Sequence, residues 1–244
     1  MDVNKMQTFI MTLKHRPDRY WSALGALGEL GFNMDRVFTV MGKYWRDFDG
    51  YQDILEAAAA DGFPFFLEKQ VKNADMHHGR LGFLCNLWSG CRIFRHIAQQ
   101  SRPCLVFEDD ILLRISYSIL EERLSALPDE TEVVILSKKE HQDIDEIRFD
   151  ENWLYGSYHK RSGGGYANIY TPAGAKAALE CAAIPGIQTV ENIAYHLPDE
   201  KVFCASHQII KRNECGGDSD VLQETPDKYT LRQKAWGNGV VLEK

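Results

Sequence analysis

The 244-residue chain lacks the features that mark membrane-spanning or exported proteins. No apolar run approaches the roughly 18 residues needed to cross a bilayer. The first residues, MDVNKMQTFIMTL, have neither the long apolar core nor the small-residue cleavage site of a secretory signal. We therefore expect no membrane span and a cytoplasmic location.

Paired cysteines and an excess of positive charge are also missing. The six cysteines are scattered, mostly within apolar segments, and none forms a CxxC pair. This pattern predicts reduced, buried thiols and argues against a disulfide framework or a zinc site. The formal net charge of −7 argues against general binding to nucleic acid or anionic membrane, although a local basic groove is still allowed.

Strand-like and helix-like apolar patterns alternate over most of the chain. Strands are predicted at 7–13, 36–41, 132–136, 166–170 and 201–205, with one more ending in the acidic residues 108–110. Helices are predicted at 17–30, 51–60, 81–99, 118–127, 172–182 and 190–196, and a loop at 73–79. The alternation predicts a Rossmann-like α/β/α sandwich with a mainly parallel central sheet. We expect a single domain over 1–244, with its core at about 7–212 and a peripheral tail at 213–244.

The stretch CLVFEDDILL places three carboxylates, Glu108-Asp109-Asp110, at the end of an apolar strand. In open α/β sheets, ligands bind at the carboxyl ends of strands. Mg²⁺ and Mn²⁺ prefer carboxylate oxygens, and a bound cation would remove the repulsion within the triplet. The alternative is that the acids cap the next segment or face solvent at a turn.

Four segments follow one another in a recognisable order: FIMTLKHRPDRYWSALGALGELGF, GRLGFLCNLWSGCRIFRHIAQQSRPCLVFEDDILL, GGGYANIYTPAGAKAAL, and VENIAYHL with KVFCASHQIIKR. In this order they resemble glycosyltransferase family 25, the lipooligosaccharide and collagen galactosyltransferase relatives with a GT-A type fold. The likeness spans about 7–212. It departs from the family at 82–87, where GFLCNL replaces the usual Gly-Cys-x-x-Ser-His, and region 137–160 matches nothing in the family.

The resemblance implies a metal-dependent, inverting glycosyltransferase of the kind found in lipopolysaccharide biosynthesis. It implies Mn²⁺ or Mg²⁺ as cofactor, a nucleotide-diphosphate sugar as donor (most plainly a UDP-sugar), and a hydroxyl of a glycan, glycoprotein or other acceptor. Asp110 is then the main metal ligand and Asp109 a second one, and Glu108 and Asp109 also contact the donor. His207 is a third candidate ligand, and the alternative is a surface histidine after a strand.

Three further groups are candidates for donor contacts. Arg16 and Arg19 follow the first strand, and a guanidinium matches phosphate oxygens, although Arg19 also suits an exposed helix face. Lys211 and Arg212 are alternative diphosphate partners, or simply a solvated edge. Gly164 and Gly165, within a run of three glycines, fit a loop close to the donor or acceptor, or a flexible hairpin.

An inverting displacement also needs a base for the acceptor hydroxyl. The resemblance puts Glu191 there in place of the aspartate of many relatives, and the alternative is an ordinary first-turn acid of a helix. Trp153, Tyr155, Tyr158 and His159 offer flat faces for a sugar ring, or partly buried packing. Two other functions stay open: a viral or phage enzyme acting on a capsid protein or a modified DNA base, and a non-catalytic binding relative.

Overall fold

The computed structural model describes residues 6–69, 78–136, 148–156, 167–187, 189–193, 196–207 and 209–212, and every structural statement below concerns these ranges. They contain nine strands: β1 Gln7–Thr12, β2 Val37–Met41, β3 Cys104–Glu108, β4 Ile111–Leu113, β5 Val133–Ile135, β6 Trp153–Tyr155, β7 Ala167–Tyr170, β8 Val202–Ala205 and β9 Ile210–Arg212. Seven of them form one sheet in the order β2-β1-β3-β7-β5-β8-β6, and β4 pairs with β9 in a separate antiparallel ribbon.

Five strands of the large sheet run in the same direction. β2, β1 and β3 are parallel neighbours, and β5 and β8 are parallel neighbours. β7 is inserted antiparallel between β3 and β5, and β6 is antiparallel at the edge beside β8. The predicted α/β class with a mainly parallel sheet is therefore confirmed.

Helices cover both faces of this sheet. They are α1 Pro17–Glu29, α2 Tyr51–Ala60, α3 His78–Ile97, α4 Tyr117–Ser125, α5 Pro172–Ala182 and α6 Val190–Ile193. Because side chains alternate along a strand, Phe9 packs into the core under α2, α3, α5 and α6, whereas Ile10 packs into the core under α1 and α4. The predicted α/β/α sandwich is confirmed by these two cores.

Several local predictions need correction. The sequence did not predict β4, β6 or β9, and α3 begins at His78, inside the segment expected to be a loop. Trp153 lies on β6 with 0% of its surface exposed, and its indole N–H donates to the carbonyl of Arg123 at 2.9 Å. The packing interpretation of this aromatic run is thus confirmed for Trp153, while Tyr158 and His159 lie outside the described residues.

The predicted burial of the cysteines is confirmed for four of the five that lie within the described ranges. Cys85, Cys91, Cys104, Cys181 and Cys204 are free thiols, and all but Cys181 are buried. Burial raises the pKa of Cys85, Cys91 and Cys104 to about 12, so these thiols stay protonated and unreactive at neutral pH. Cys215 and the predicted tail lie outside the described residues. Among the helices that are described, none is both long and apolar enough to cross a membrane.

Candidate functional site

The acidic motif lies at the carboxyl edge of the sheet, beside the end of β1. Glu108 is the last residue of β3 and pairs with Met11 of β1. The next residue, Asp109, continues the contact, because its backbone N–H donates to the carbonyl of Met11 at 3.0 Å. β1 and β3 are parallel, so the segments that follow both strands meet at one edge, which is where open α/β sheets bind ligands.

Strand alternation sends the first two acids of the motif to opposite faces of the sheet. Glu108 faces α3, where Asn86 donates from Nδ2 to its Oε1 at 3.1 Å. Asp109 accepts a 2.5 Å hydrogen bond at Oδ2 from the hydroxyl of Thr12. Thr12 lies two residues after Ile10, on the same face of β1, and Ile10 is part of the core under α1. The triplet is therefore two separately supported groups: Glu108 under α3, and the Asp109–Asp110 pair under α1.

Arg19 of α1 faces both members of the aspartate pair. Its Nη1 lies 3.9 Å from Oδ1 of Asp109 and 4.0 Å from Oδ2 of Asp110. All three residues are only 6% exposed. Burial raises the pKa of Asp109 to about 7, and the Thr12 hydrogen bond and the charge of Arg19 act in the opposite direction.

Arg16 is the second buried cation at this edge. Its N–H donates to the carbonyl of Leu13 at 2.8 Å, which closes the turn after β1, and Pro17 then starts α1. The guanidinium is 1% exposed and forks onto the carboxylate of Asp18, with Nε 3.2 Å from Oδ1 and Nη2 3.3 Å from Oδ2. Phosphate contact by Arg16 and Arg19 stays a prediction, and in this arrangement both guanidinium groups face carboxylates.

As arranged, these side chains do not fit a divalent cation. Arg19 already faces both aspartates, and in the part of the chain that is described no three His, Cys, Asp or Glu side chains come together to hold a metal ion. His207 is exposed, two residues beyond the end of β8. The metal centre implied by Asp109, Asp110 and His207 is not assembled here and stays a prediction.

The backbone of the base candidate is anchored on α3. Glu191 lies in α6, and the preceding residue, Val190, packs so closely on Gly90 that a Cβ at Gly90 would lie 2.6 Å from its Cγ2. Gly90 is one helical turn beyond Asn86, so the two positions share a face of α3. Helix α3, which supports Glu108 through Asn86, therefore also contacts the segment that contains Glu191. The side chain of Glu191 is not among those that the structure describes.

The remaining predicted site residues are only partly described. Gly164 and Gly165 lie outside the described residues. The backbones of Lys211 and Arg212 lie in β9, where they pair with Leu112 and Ile111 directly after the acidic motif. Their segment is thus brought next to the motif, and their contact with a diphosphate stays a prediction.

Two residues at this edge were missed by the sequence analysis. Asn86 stands where family 25, which the sequence segments resemble, has the serine of its Ser-His pair, and that alignment is the signal that could have found it. Lys43 follows β2, and its backbone N–H donates to Ser89 of α3 at 2.8 Å. Its ammonium lies 4.4 Å from the centre of the Trp88 ring, and burial lowers its pKa. No sequence pattern distinguished Lys43 from a surface lysine.

Comparison with known proteins identifies similar folds at low identity. No protein-family model matches the chain, and no curated protein sequence matches it. Mouse xyloside xylosyltransferase 1 is 8% identical with a TM-score of 0.43, and the match covers 77% of this chain and 79% of that one. The galactosyltransferase LgtC is 10% identical with a TM-score of 0.42, over 81% of this chain and 72% of that one.

A third similar structure is named as a synthase and not as a sugar transferase. The 4-diphosphocytidyl-2C-methyl-D-erythritol synthase of Anaerococcus prevotii is 12% identical with a TM-score of 0.38, over 93% of this chain and 96% of that one. All three TM-scores lie below 0.5, so these likenesses assign no activity to this chain. Membership of family 25 stays an expectation from the sequence segments.

Proposed function

We propose that this protein is a glycosyltransferase that moves a sugar from a nucleotide-diphosphate donor, most plainly a UDP-sugar, to a hydroxyl of a glycan or glycoconjugate. The observation that carries the proposal is the position of Glu108, Asp109 and Asp110 at the carboxyl edge of the parallel strands β1 and β3. Ligands of open α/β sheets bind at this edge. The four ordered sequence segments that resemble family 25 supply the reaction class.

Glu108 is suited to bind the donor's hydroxyl groups. It is partly exposed, and the bond from Asn86 fixes one carboxylate oxygen. A carboxylate oriented in this way accepts further hydrogen bonds from ribose or sugar hydroxyls. We therefore assign Glu108 to donor binding and Asn86 to holding it in place.

The diphosphate needs positive charge at the same edge. Lys43 follows β2, and the backbone N–H of the preceding Gly42 donates to the carbonyl of Thr12 at 2.8 Å, so this segment is tied to the end of β1. Arg16 and Arg19 add two cations after β1. Lys43 is more accessible than Arg16 and Arg19, because its side chain is only partly buried and is not paired to the buried aspartates.

Glu191 is the proposed general base for the acceptor hydroxyl. A positioned base contributes roughly 10²–10⁴ in rate when its geometry and pKa are suitable. Its segment packs on the α3 face that also holds Asn86 against Glu108, which supports a location near the donor. The inverting outcome implied by the resemblance depends on this role.

The test is thermal unfolding of the protein with a panel of UDP, GDP, CDP and ADP, each with and without Mn²⁺ or Mg²⁺. A bound nucleotide at one hundred times its Kd adds about 2.7 kcal/mol to the free energy of unfolding. We expect one nucleotide to stabilise the protein and Glu108→Gln to weaken that effect. Turnover of the matching nucleotide sugar then tests transfer, and Glu191→Gln should lower turnover by roughly 10²–10⁴ while donor binding persists.

Two outcomes contradict the proposal. If none of the nucleotides stabilises the protein, with or without Mn²⁺ or Mg²⁺, the protein has no donor site of the proposed kind. Nucleotide binding without turnover on any tested acceptor or on water would instead favour a non-catalytic binding protein with this fold.

A further inference from the structure

The aspartate pair of the acidic motif already has a cation within the protein. Arg19 reaches it from α1, with the same nitrogen, Nη1, 3.9 Å from Asp109 and 4.0 Å from Asp110. Because one nitrogen faces an oxygen of each carboxylate, the guanidinium bridges the pair. Arg19, Asp109 and Asp110 have little contact with water, because each of them is more than nine-tenths buried.

Because Asp109 and Asp110 are buried, their negative charges must be balanced within the protein. Two adjacent carboxylates taken out of water repel each other and lose their hydration, so at least one positive charge must accompany them or a proton must bind. Thr12 provides only a neutral hydrogen bond to Asp109. Arg19 provides a full charge, and Arg16, on the same turn, adds a second one that also lowers the pKa of Asp109.

A divalent cation held by both aspartates would need the same place. It would bind carboxylate oxygens directly, at separations of roughly 2.0–2.3 Å, and it would repel a guanidinium on the same oxygens. Arg19 and a metal ion therefore compete for the pair, and the buried protein cation has the advantage of being tethered.

We propose that Arg19 is the resident counter-ion of the Asp109–Asp110 pair, and that it excludes divalent cations from these carboxylates in the ligand-free protein. Arg19 is thus a positioning residue for the acidic motif, and removal of its charge converts the pair into a divalent-cation site. This inference goes beyond sugar transfer, and it does not require the protein to be an active transferase.

The experiment measures Mn²⁺ binding directly, from the electron paramagnetic resonance signal of free Mn²⁺, in the full chain without nucleotide. The wild type should show no saturable binding that depends on Asp110. Arg19→Gln should bind Mn²⁺ at least about tenfold more tightly, and Mn²⁺ should raise its unfolding temperature. Arg19→Lys, which keeps the charge, should behave as the wild type, and Arg19→Gln with Asp110→Asn should lose the gained affinity.

Two results would overturn the inference. One is Mn²⁺ binding by Arg19→Gln that is no tighter than that of the wild type. The other is saturable binding by the wild type that Asp110→Asn abolishes, and this measurement remains decisive if Arg19→Gln does not fold. Nucleotide binding is scored separately, so a protein that binds no nucleotide but gains Mn²⁺ through Arg19→Gln would contradict the proposed function and support the counter-ion.

Discussion

The hydroxyl of Thr12, the last residue of β1, donates a 2.5 Å hydrogen bond to Oδ2 of Asp109, the first residue after β3. The two residues are 97 positions apart in the sequence. Parallel pairing of β1 with β3 brings them together, and both are buried. The first strand therefore supports the acidic motif directly, through a side chain as well as through the sheet.

Replacement of Thr12 by valine should destabilise the fold at this contact. Valine has the shape of threonine but leaves Oδ2 of a buried carboxylate without its donor, which costs about 1–3 kcal/mol. Urea denaturation at neutral pH measures the loss. Thr12→Ser keeps the hydroxyl and should retain most of the stability, so equal stability of the valine variant and the wild type would contradict the assignment.

Asn86 should act through Glu108. Asn86→Leu removes the 3.1 Å bond to Oε1 and frees the carboxylate to rotate, so we expect a loss of about tenfold in affinity for the nucleotide that the protein binds. Isothermal calorimetry of that nucleotide gives the number. In a double-mutant cycle with Glu108→Gln, the two losses should be strongly non-additive. Additive losses would mean that Asn86 contributes by another route.

The sequence predicted the layers of the fold but not the order of the central strands. Apolar periodicity is a local property, and it placed α2 at the bounds that the structure shows. The antiparallel insertion of β7 between β3 and β5 depends on contacts far apart in sequence, which no local pattern encodes. The three-residue strands β4, β6 and β9 are too short to show a period of two.

The same limit applies to the candidate site. The acidic motif was predictable because an apolar strand ends in three carboxylates. The burial of Arg16 and Arg19 was not, since a charged residue is normally exposed unless it is paired, and the partner Asp109 lies ninety positions beyond Arg19. Apart from its alignment with the serine of family 25, Asn86 resembled any polar helix residue, and its role depends on a contact with Glu108 that the sequence does not show.

Gly90→Ala should disturb the placement of Glu191. The added Cβ would lie 2.6 Å from Cγ2 of Val190, and a β-branched side chain cannot swing away, so α6 must shift. We expect a loss of about 1–3 kcal/mol in the free energy of unfolding, and a lower kcat with little change in donor affinity if Glu191 is the base.

A matched control is available on α1. A Cβ at Gly25 meets nothing within 4 Å, so Gly25→Ala should be neutral or slightly stabilising, because alanine favours the helix. Val190→Ala in the Gly90→Ala background removes the clashing methyl and should recover part of the stability. Equal effects at Gly25 and Gly90 would show that helix propensity, and not the contact with α6, is being measured.

The buried thiols should make the protein lose stability in alkali. Burial raises the pKa of Cys85, Cys91 and Cys104 from 9.0 to about 12, so their folded-state pKa values exceed the unfolded ones. Above pH 9 the unfolded chain releases three protons that the folded protein retains, and stability therefore falls as pH rises. Burial lowers the pKa of Lys69 from 10.5 to about 8, which has the opposite sign, because the unfolded chain then holds one proton more.

The thiols outnumber the lysine, so stability should fall as pH rises between roughly pH 9.5 and 10.5. Burial also raises the pKa of Tyr170 and lowers the pKa of Lys43, and these two contributions have opposite signs. Urea denaturation at intervals across this range gives the slope. Cys104→Ala should flatten the slope, because it removes a group that holds its proton only in the folded protein, and Lys69→Met should steepen it. A slope unchanged by Cys104→Ala would mean that this thiol ionises as readily in the folded protein as in the unfolded chain, and it would contradict the raised pKa expected from its burial in the core beneath α3.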